Sequence, residues 1–494
     1  MNLKFEELSE SLEEILNKNL GHEFLVNPFF RFSKASPEQL RPYFMVLHNL
    51  PKLFIILTIL IQIPWYILKI LFNVLLSIGF SYQYKIFNYK SYQQKIIFVS
   101  HGTIGNLLDK FTDRFFDVLP QKISVNINIP CTVIYTNQNI LRYRKDLKLI
   151  QQKNLNCNHV ILPKFLKFDE NLKFVPYIIF LAIKCFSTGL SLYFQDPVRS
   201  KILLTSASSF FARKTYANYL LRQRLRDFYK NGPVIALYLT FEGHSYEQML
   251  ADEALKCNKR IRIYLYQHSP IVPYHFGIRN HLHNLDGDTF ILTTGIFYKE
   301  YLQSISSKPN YIIFGSNKAR DCISQGVEKT ASILYVPEGI FSTTYEMLEL
   351  IHKLIRLLPN HSHVLRIHPD LKIGIGIKIL LKVLFKSPNF RLSKSDLSRD
   401  LLSSKFLIYR SSAVGIESLN YNVKPIFFAK PIFSGLNVLF MEETLYYQTF
   451  NENDVVSLIK SDSSETILDT NKKKFEKLLT SLDFEAVEKS IRNK

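Results

Sequence analysis

Val364-Leu-Arg-Ile-His-Pro369 and Phe406-Leu-Ile-Tyr-Arg-Ser-Ser412 are built alike: a short run of apolar, branched or aromatic residues ends abruptly in basic and hydrogen-bonding ones. Such a run, closed by a polar cluster, reads as a buried strand and the loop after it, and the second passes directly into a helical pattern over 413–420. Strands that hand over to helices predict parallel pairing, because a crossover helix is what returns the chain to the same edge in the same direction. Working outward, further strands are predicted at 311–314, 333–336 and 425–428, with a helix over 344–358. The N-terminal half repeats the scheme at 95–99, 132–135, 160–162, 234–239, 262–266 and 289–292, and 201–230 reads as one Arg-rich amphipathic helix. The expected fold is therefore α/β, with two Rossmann-like domains facing across a cleft.

At 494 residues the chain exceeds what one hydrophobic core usually supports, which agrees with two domains. The expected division is a helical segment over 1–50, an apolar region over 51–93, an N-terminal Rossmann-like domain over 94–305, a second over 306–465 and a helical tail over 466–494. The break at 305 rests on Ser306-Ser-Lys-Pro-Asn310, whose composition suits a linker. Within 51–93, apolar runs at 53–63 and 65–80 meet at Pro64. Proline breaks or kinks a helix, and Trp65, Tyr66, Lys52, Lys69 and Lys85 favour an interfacial placement; a span and burial within the protein are the alternatives. A second apolar stretch at 175–194 carries Lys184, Ser187, Thr188 and Gly189 and reads as a core or partner-facing helix.

A hydrophobic fraction of 47% with 14% aromatics excludes a disordered or linker-dominated chain. The formal charge of +20 suits an anionic partner, either an acidic membrane face or a phosphorylated ligand. Nucleic acid is not expected, since no recognition motif or compact basic-aromatic module accompanies the charge. Cys131, Cys157, Cys185, Cys257 and Cys322 form no CxxC pair, which argues against a structural zinc site and for a reducing compartment. The first residues carry Glu6 and Glu7 where a secretory signal would carry basic residues, so secretion is not expected. There is no complete GxGxxG, Walker A or HExxH motif, and Asp286-Gly-Asp288 precedes a strand instead of closing one, so neither cofactor nor metal is expected.

Ligands of open α/β sheets bind beyond the carboxyl ends of the strands, so the polar residues there are the candidates for chemistry. His368 can hydrogen-bond or protonate a leaving phosphate, and Arg366 and Arg410 offer paired donors. Ser411 and Ser412 fall at a predicted helix start, and Glu417 lies one turn deeper, placed to accept from ribose hydroxyls. Glu338 and Gly339, in Val336-Pro-Glu-Gly339, stand at the first strand-helix turn of the second domain, where backbone can approach a phosphate. In the first domain, Phe241-Glu-Gly-His244 supplies Glu242, Gly243 and His244, Tyr266-Gln-His-Ser269 supplies His268, and Ser100-His-Gly-Thr103 supplies His101.

The His-Pro pair at 368–369 and the Ser-Ser pair at 411–412 resemble the His-Pro and Ser/Thr-Ser motifs of bacterial sialyltransferases, polysialyltransferases and capsule Kdo transferases, surface-polysaccharide glycosyltransferases of GT-B type. The segment from Arg410 to Phe428 is similar to that group's nucleotide-binding segment. The resemblance implies a nucleotide-activated sugar donor, with His368 as donor-phosphate ligand and candidate acid and Ser411 and Ser412 as further donor-phosphate ligands; Arg366, Pro369, Arg410, Glu417, Glu338 and Gly339 are the other candidate donor contacts. It also implies a glycan or lipid-linked glycan acceptor beside His101, Gly243, His244 and His268. Glu242-Gly243 resembles the second half of the acidic-acidic-Gly motif that supplies the sialyltransferase base, but Phe241 replaces the first acid, and Glu247 is the rival base. The implied activity is inverting, metal-independent transfer of a CMP-linked sialic-acid-like or Kdo-like sugar to a cell-surface glycan. The implied location is peripheral or monotopic, at the inner face of the plasma membrane. A glycerophosphotransferase using CDP-glycerol and a non-catalytic, membrane-associated polysaccharide-assembly protein are the alternatives.

Overall fold

The computed structural model describes, apart from a few single positions and the short stretches 163–165 and 369–370, residues 10–27, 95–100, 113–135, 157–319, 329–429, 436–461 and 468–492, together with positions 57, 64 and 68. The apolar runs at 53–63 and 65–80 therefore lie almost wholly outside the described residues, as do His101 and Pro369.

Seven strands form the first sheet: β1 (Lys95–Ser100), β2 (Cys131–Tyr135), β3 (Asn158–Ile161), β4 (Val234–Thr240), β5 (Arg262–Tyr266), β6 (Thr289–Thr293) and β7 (Asn310–Ile313), in the order 3-2-1-4-5-6-7. Six form the second: β8 (Ser332–Val336), β9 (Ser362–Leu365), β10 (Phe390–Leu392), β11 (Phe406–Tyr409), β12 (Lys424–Phe428) and β13 (Tyr447–Thr449), in the order 10-9-8-11-12-13. Every pairing is parallel. Both sheets are doubly wound in the Rossmann order, and each reverses direction once, between β1 and β4 and between β8 and β11.

Strand alternation sorts the core. In the first sheet Phe98, Tyr238 and Tyr264 turn to one face with ring centroids 4.3 Å apart in sequence, and Ile97, Leu237 and Ile263 turn to the other. In the second, Ile333, Tyr335, Ile408 and Ile426 pack under the helix Phe341–Leu357, while Leu334, Leu407 and Phe427 face the opposite way. Burial on both faces explains why these strands read as continuous apolar runs.

The structure departs from the sequence expectations at three places. β7 belongs to the first sheet, so that domain runs past 305, and Ser306-Ser-Lys-Pro309 is a loop within it that leads into β7 at Asn310. The 201–230 stretch is two helices, Pro197–Ser209 and Arg213–Lys230. The stretch at 175–194 falls in the helix Phe168–Ser191, which buries Phe174, Ile178, Leu181 and Cys185 in the core while Leu172, Phe180 and Ile183 stand 58%, 61% and 61% exposed on its outer side. Core burial thus accounts for one face only.

The chain end returns to the first domain. After the helix Leu468–Leu478, Thr480 N donates to Thr294 O (2.9 Å), Ser316 N to Thr480 O (2.8 Å) and Asp483 N to Phe314 O (2.7 Å), just beyond β6 and β7. The helix Phe484–Arg492 then sends Val487 and Ile491 into the first sheet's core, and Ser490 Oγ meets Tyr264 OH at 3.1 Å.

Candidate functional site

At the first reversal point, β4 ends at Thr240 and the chain turns through Phe241-Glu-Gly-His244 into the helix Ser245–Cys257. Gly243 makes the turn: its φ of +77° lies in the left-handed region, and a Cβ there would stand 2.6 Å from Ile278 N. The turn presents the Glu242 carboxylate, part-exposed, to three groups. His244 Nε2 lies 3.2 Å from Oε2, His268 Nε2 lies 3.7 Å from Oε1, and the Ser269 hydroxyl donates to Oε1. His268 comes from the loop after β5, where its ring packs against Phe115 at 4.3 Å between centroids. Burial alone would raise the Glu242 carboxyl, but the His268 ring, the His244 hydrogen bond and charge, and the Ser269 hydroxyl hold it well below the usual carboxylate range. Burial likewise opposes charge on His244, and the Glu242 and Glu247 carboxylates outweigh it, raising the ring's pKa. The result is a carboxylate kept ionised and aimed beyond the sheet edge.

Glu247, the rival, has a different job. It is fully buried and accepts from Glu242 N (2.9 Å) and His244 N (2.9 Å), which closes the start of its own helix as a capping box. Burial pushes its carboxyl up to about 7. A side chain so enclosed positions the Glu242 turn and has no route to a substrate hydroxyl.

At the second reversal point, the turns after β8 and β11 are tied together: Glu338 Oε1 accepts from Ser411 N at 3.0 Å, and Glu338 O accepts from Thr344 Oγ1 at 3.0 Å. The ring of His368, following β9, lies against Gly339, where a Cβ would come within 2.6 Å of its Nδ1. Ser412 Oγ accepts from Val414 N at 3.3 Å as the chain enters the helix Val414–Asn420. Glu338, Gly339, His368 and Ser411, separate in sequence, are thus one cluster.

The arginines do not join it as a clamp. Arg366 Nη1 pairs with Asp400 Oδ2 at 2.8 Å and also donates to Ser395 O at 2.7 Å. Asp400 is buried at the start of the helix Leu397–Ser403, and a buried carboxylate requires a countercharge. Arg410 is itself buried and pairs with Glu346 at 2.7 Å, on the helix Phe341–Leu357. Glu417 is engaged by Lys318 Nζ at 3.3 Å. Sequence reading placed the two arginines just beyond strand ends and Glu417 a turn into the following helix, but could not see their partners, which come from elements far along the chain. It also overlooked Ser269, whose signal was present: it stands one residue past His268 after a strand end. Gln267, also passed over, is buried and accepts from Thr294 N at 3.1 Å, fixing the loop that carries His268.

Among the described residues no group of His, Cys, Asp and Glu side chains is arranged to hold a metal ion.

No family model matches the chain, and no curated protein matches it. Solved structures do. The chain is similar to a UGT transferase from Siraitia grosvenorii in complex with UDP, with a TM-score of 0.48, 10% identity, and coverage of 81% of this chain and 99% of that one. It is similar to a glycosyltransferase from Rickettsia africae, with a TM-score of 0.45, 12% identity, and coverage of 82% and 100%. It is also similar to MurG from Acinetobacter baumannii, with a TM-score of 0.43, 10% identity, and coverage of 81% and 100%. What the chain does has to be read from its own side chains.

Proposed function

We propose that the chain is an inverting glycosyltransferase of GT-B type that moves a sugar from a nucleotide-activated donor to a glycan or lipid-linked glycan acceptor at the inner membrane face. The observation that carries this reading is Glu242: an ionised, part-exposed carboxylate at the reversal point of a doubly wound sheet, gripped by two imidazoles and a hydroxyl. It accepts the acceptor hydroxyl's proton as that oxygen forms a bond to the anomeric carbon. The bond from that carbon to the donor phosphate breaks, and its electron pair leaves with the nucleotide. The low pKa keeps Glu242 ready and limits its basicity, so proton transfer accompanies bond formation instead of preceding it.

In the second domain His368 is assigned to the departing phosphate, with Ser411, Ser412 and the Gly339 backbone beside it. Arg366, Arg410 and Glu417 are assigned to holding the domain, on account of their ion pairs. The His-Pro and Ser-Ser motifs favour a CMP-linked donor of the sialic-acid or Kdo kind and a surface polysaccharide as product. The exposed outer side of the helix Phe168–Ser191 and the charge of +20 support work at a membrane surface.

The test is to present purified protein with CMP-, CDP-, UDP- and GDP-linked donors and follow nucleotide binding and release. The expected result is one preferred nucleotide, weakened binding in His368→Ala, and intact binding without turnover in Glu242→Gln. Equal binding of every donor by wild type and His368→Ala would overturn the site. Release of a polyol phosphate onto the acceptor would assign the glycerophosphotransferase activity instead.

A further inference from the structure

The helix Ile375–Leu384, which begins soon after His368, has a surface that its own fold does not explain. Its inner side is ordinary: Ile377, Leu381 and Leu384 are buried in the core of the second sheet. Its outer side carries two rows at four-residue spacing. One is Ile375, Ile379 and Val383, which stand 78%, 58% and 39% exposed. The other is Lys378 and Lys382, with Lys386 in the turn just past the helix end, all exposed. No acidic residue occurs from Ile375 to Leu384. A surface helix of a water-facing domain is expected to be polar on its outer side and to balance its lysines with acids. This one presents an aliphatic row with a cationic row along its flank, the composition of a helix that lies in a lipid interface.

We propose that the outer side of Ile375–Leu384 docks on an anionic bilayer, the isoleucine row entering the headgroup boundary and the lysine row resting on lipid phosphates. This rests on, and deepens, the reading of the chain as a protein that works at a membrane. Charge selects the occupant. A symmetric contact between two copies sets the same patch against itself and brings the lysine rows together. A soluble polyanion neutralises the lysines and leaves the aliphatic row in water. A bilayer surface with acidic headgroups satisfies both rows at once.

The experiment is flotation of the full chain with vesicles of phosphatidylcholine alone and of phosphatidylcholine mixed with phosphatidylglycerol, at low and raised salt. Wild type is expected to float with the mixed vesicles and to be released by salt. Lys378→Gln and Lys382→Gln are each expected to weaken that affinity by about 5-fold, and Ile379→Gln to weaken binding with its salt dependence intact. The double variant Lys256→Gln/Lys259→Gln, which removes from another exposed place the same two charges as Lys378→Gln/Lys382→Gln, is expected to bind as wild type, whereas Lys378→Gln/Lys382→Gln loses more than either single variant. Equal losses in both lysine pairs would reduce the effect to overall charge and overturn the proposal. So would binding of soluble polyphosphate in place of vesicles. Vesicle binding that all the Ile375–Leu384 variants retain would overturn it while leaving the membrane reading standing, whereas no binding by wild type to either vesicle would remove both.

Discussion

The two sheets reverse direction in the same way and do different things there. Beyond β1 and β4 the chain concentrates titratable groups: one carboxylate faces two imidazoles and a hydroxyl, and a buried second carboxylate holds the turn from beneath. Beyond β8 and β11 the Glu338 carboxylate accepts from a backbone amide, Glu346 and Glu417 are held in ion pairs, and an imidazole lies against a glycine. Topology fixes where a ligand can approach, and the few residues after each strand decide whether the place takes a proton or holds a group. The first arrangement is suited to accepting a proton. The second is a fitted surface whose shape depends on the absence of a Cβ.

That contrast can be attacked at its strongest point with Glu242→Gln, which keeps the shape and removes the charge. Transfer is expected to fall by about 10³-fold with donor binding unchanged, read as single-turnover rate against nucleotide dissociation constant. A comparable loss of donor binding would mean that the two reversal points do not divide the work.

Next in size is Gly339→Ala. The added methyl meets His368 Nδ1 at 2.6 Å and must displace the ring. Donor affinity or turnover is expected to fall by up to about 100-fold, without loss of melting temperature beyond that of His368→Ala. An active Gly339→Ala would show that the ring's position on the glycine is incidental.

Asp400→Asn separates structure from binding in the second domain. Removing a buried carboxylate from Arg366 is expected to cost about 2 kcal/mol of stability by urea denaturation, a figure discounted for the part-exposed guanidinium. Donor binding is expected to stay the same. Tighter binding would return Arg366 to the donor site.

The smallest effect concerns Glu247, whose pKa is pushed up from an ordinary carboxyl value to about 7. Between those two values the native state holds a proton that the unfolded chain has released. Stability is therefore highest at the acid side of the window and declines as pH rises through it. The decline is expected to be on the order of 1–2 kcal/mol, because the amides that Glu247 caps offset part of the desolvation. Melting curves at pH 5 and pH 8 would reveal it, and Glu247→Gln would flatten it. A flat wild-type profile would place the titration elsewhere.

Much of the fold was legible because strands buried on both faces announce themselves as unbroken apolar runs, as at 234–239 and 406–409. β10 and β13 were not, each being an edge strand of three residues with exposed or half-exposed positions. The boundary at 305 was misplaced because Pro and Ser mark a turn equally well inside a domain and between two. At the candidate site, the strand-end rule singled out Glu242 and His268, which the fold sets beside each other, and His368 and Ser411, which it sets beside Gly339 and Glu338. It could not tell that Glu247 is a cap or that Arg366 and Arg410 are neutralised, since Asp400 and Glu346 stand well away in sequence and carry no motif.

Residues 478–492 carry one more implication, which concerns the order in which the protein is made. Strands β6 and β7 leave the ribosome long before the segment that caps them, yet Thr294, Phe314 and Ser316 find their backbone partners in Thr480 and Asp483. Domains generally fold as they emerge, N-terminal first. Here the earlier domain stays unfinished until the later one has been synthesised and the chain has come back. A nascent chain stalled within the second domain carries an open flank that chaperones and proteases can recognise, so residues 478–492 tie completion of the first domain to synthesis of the second.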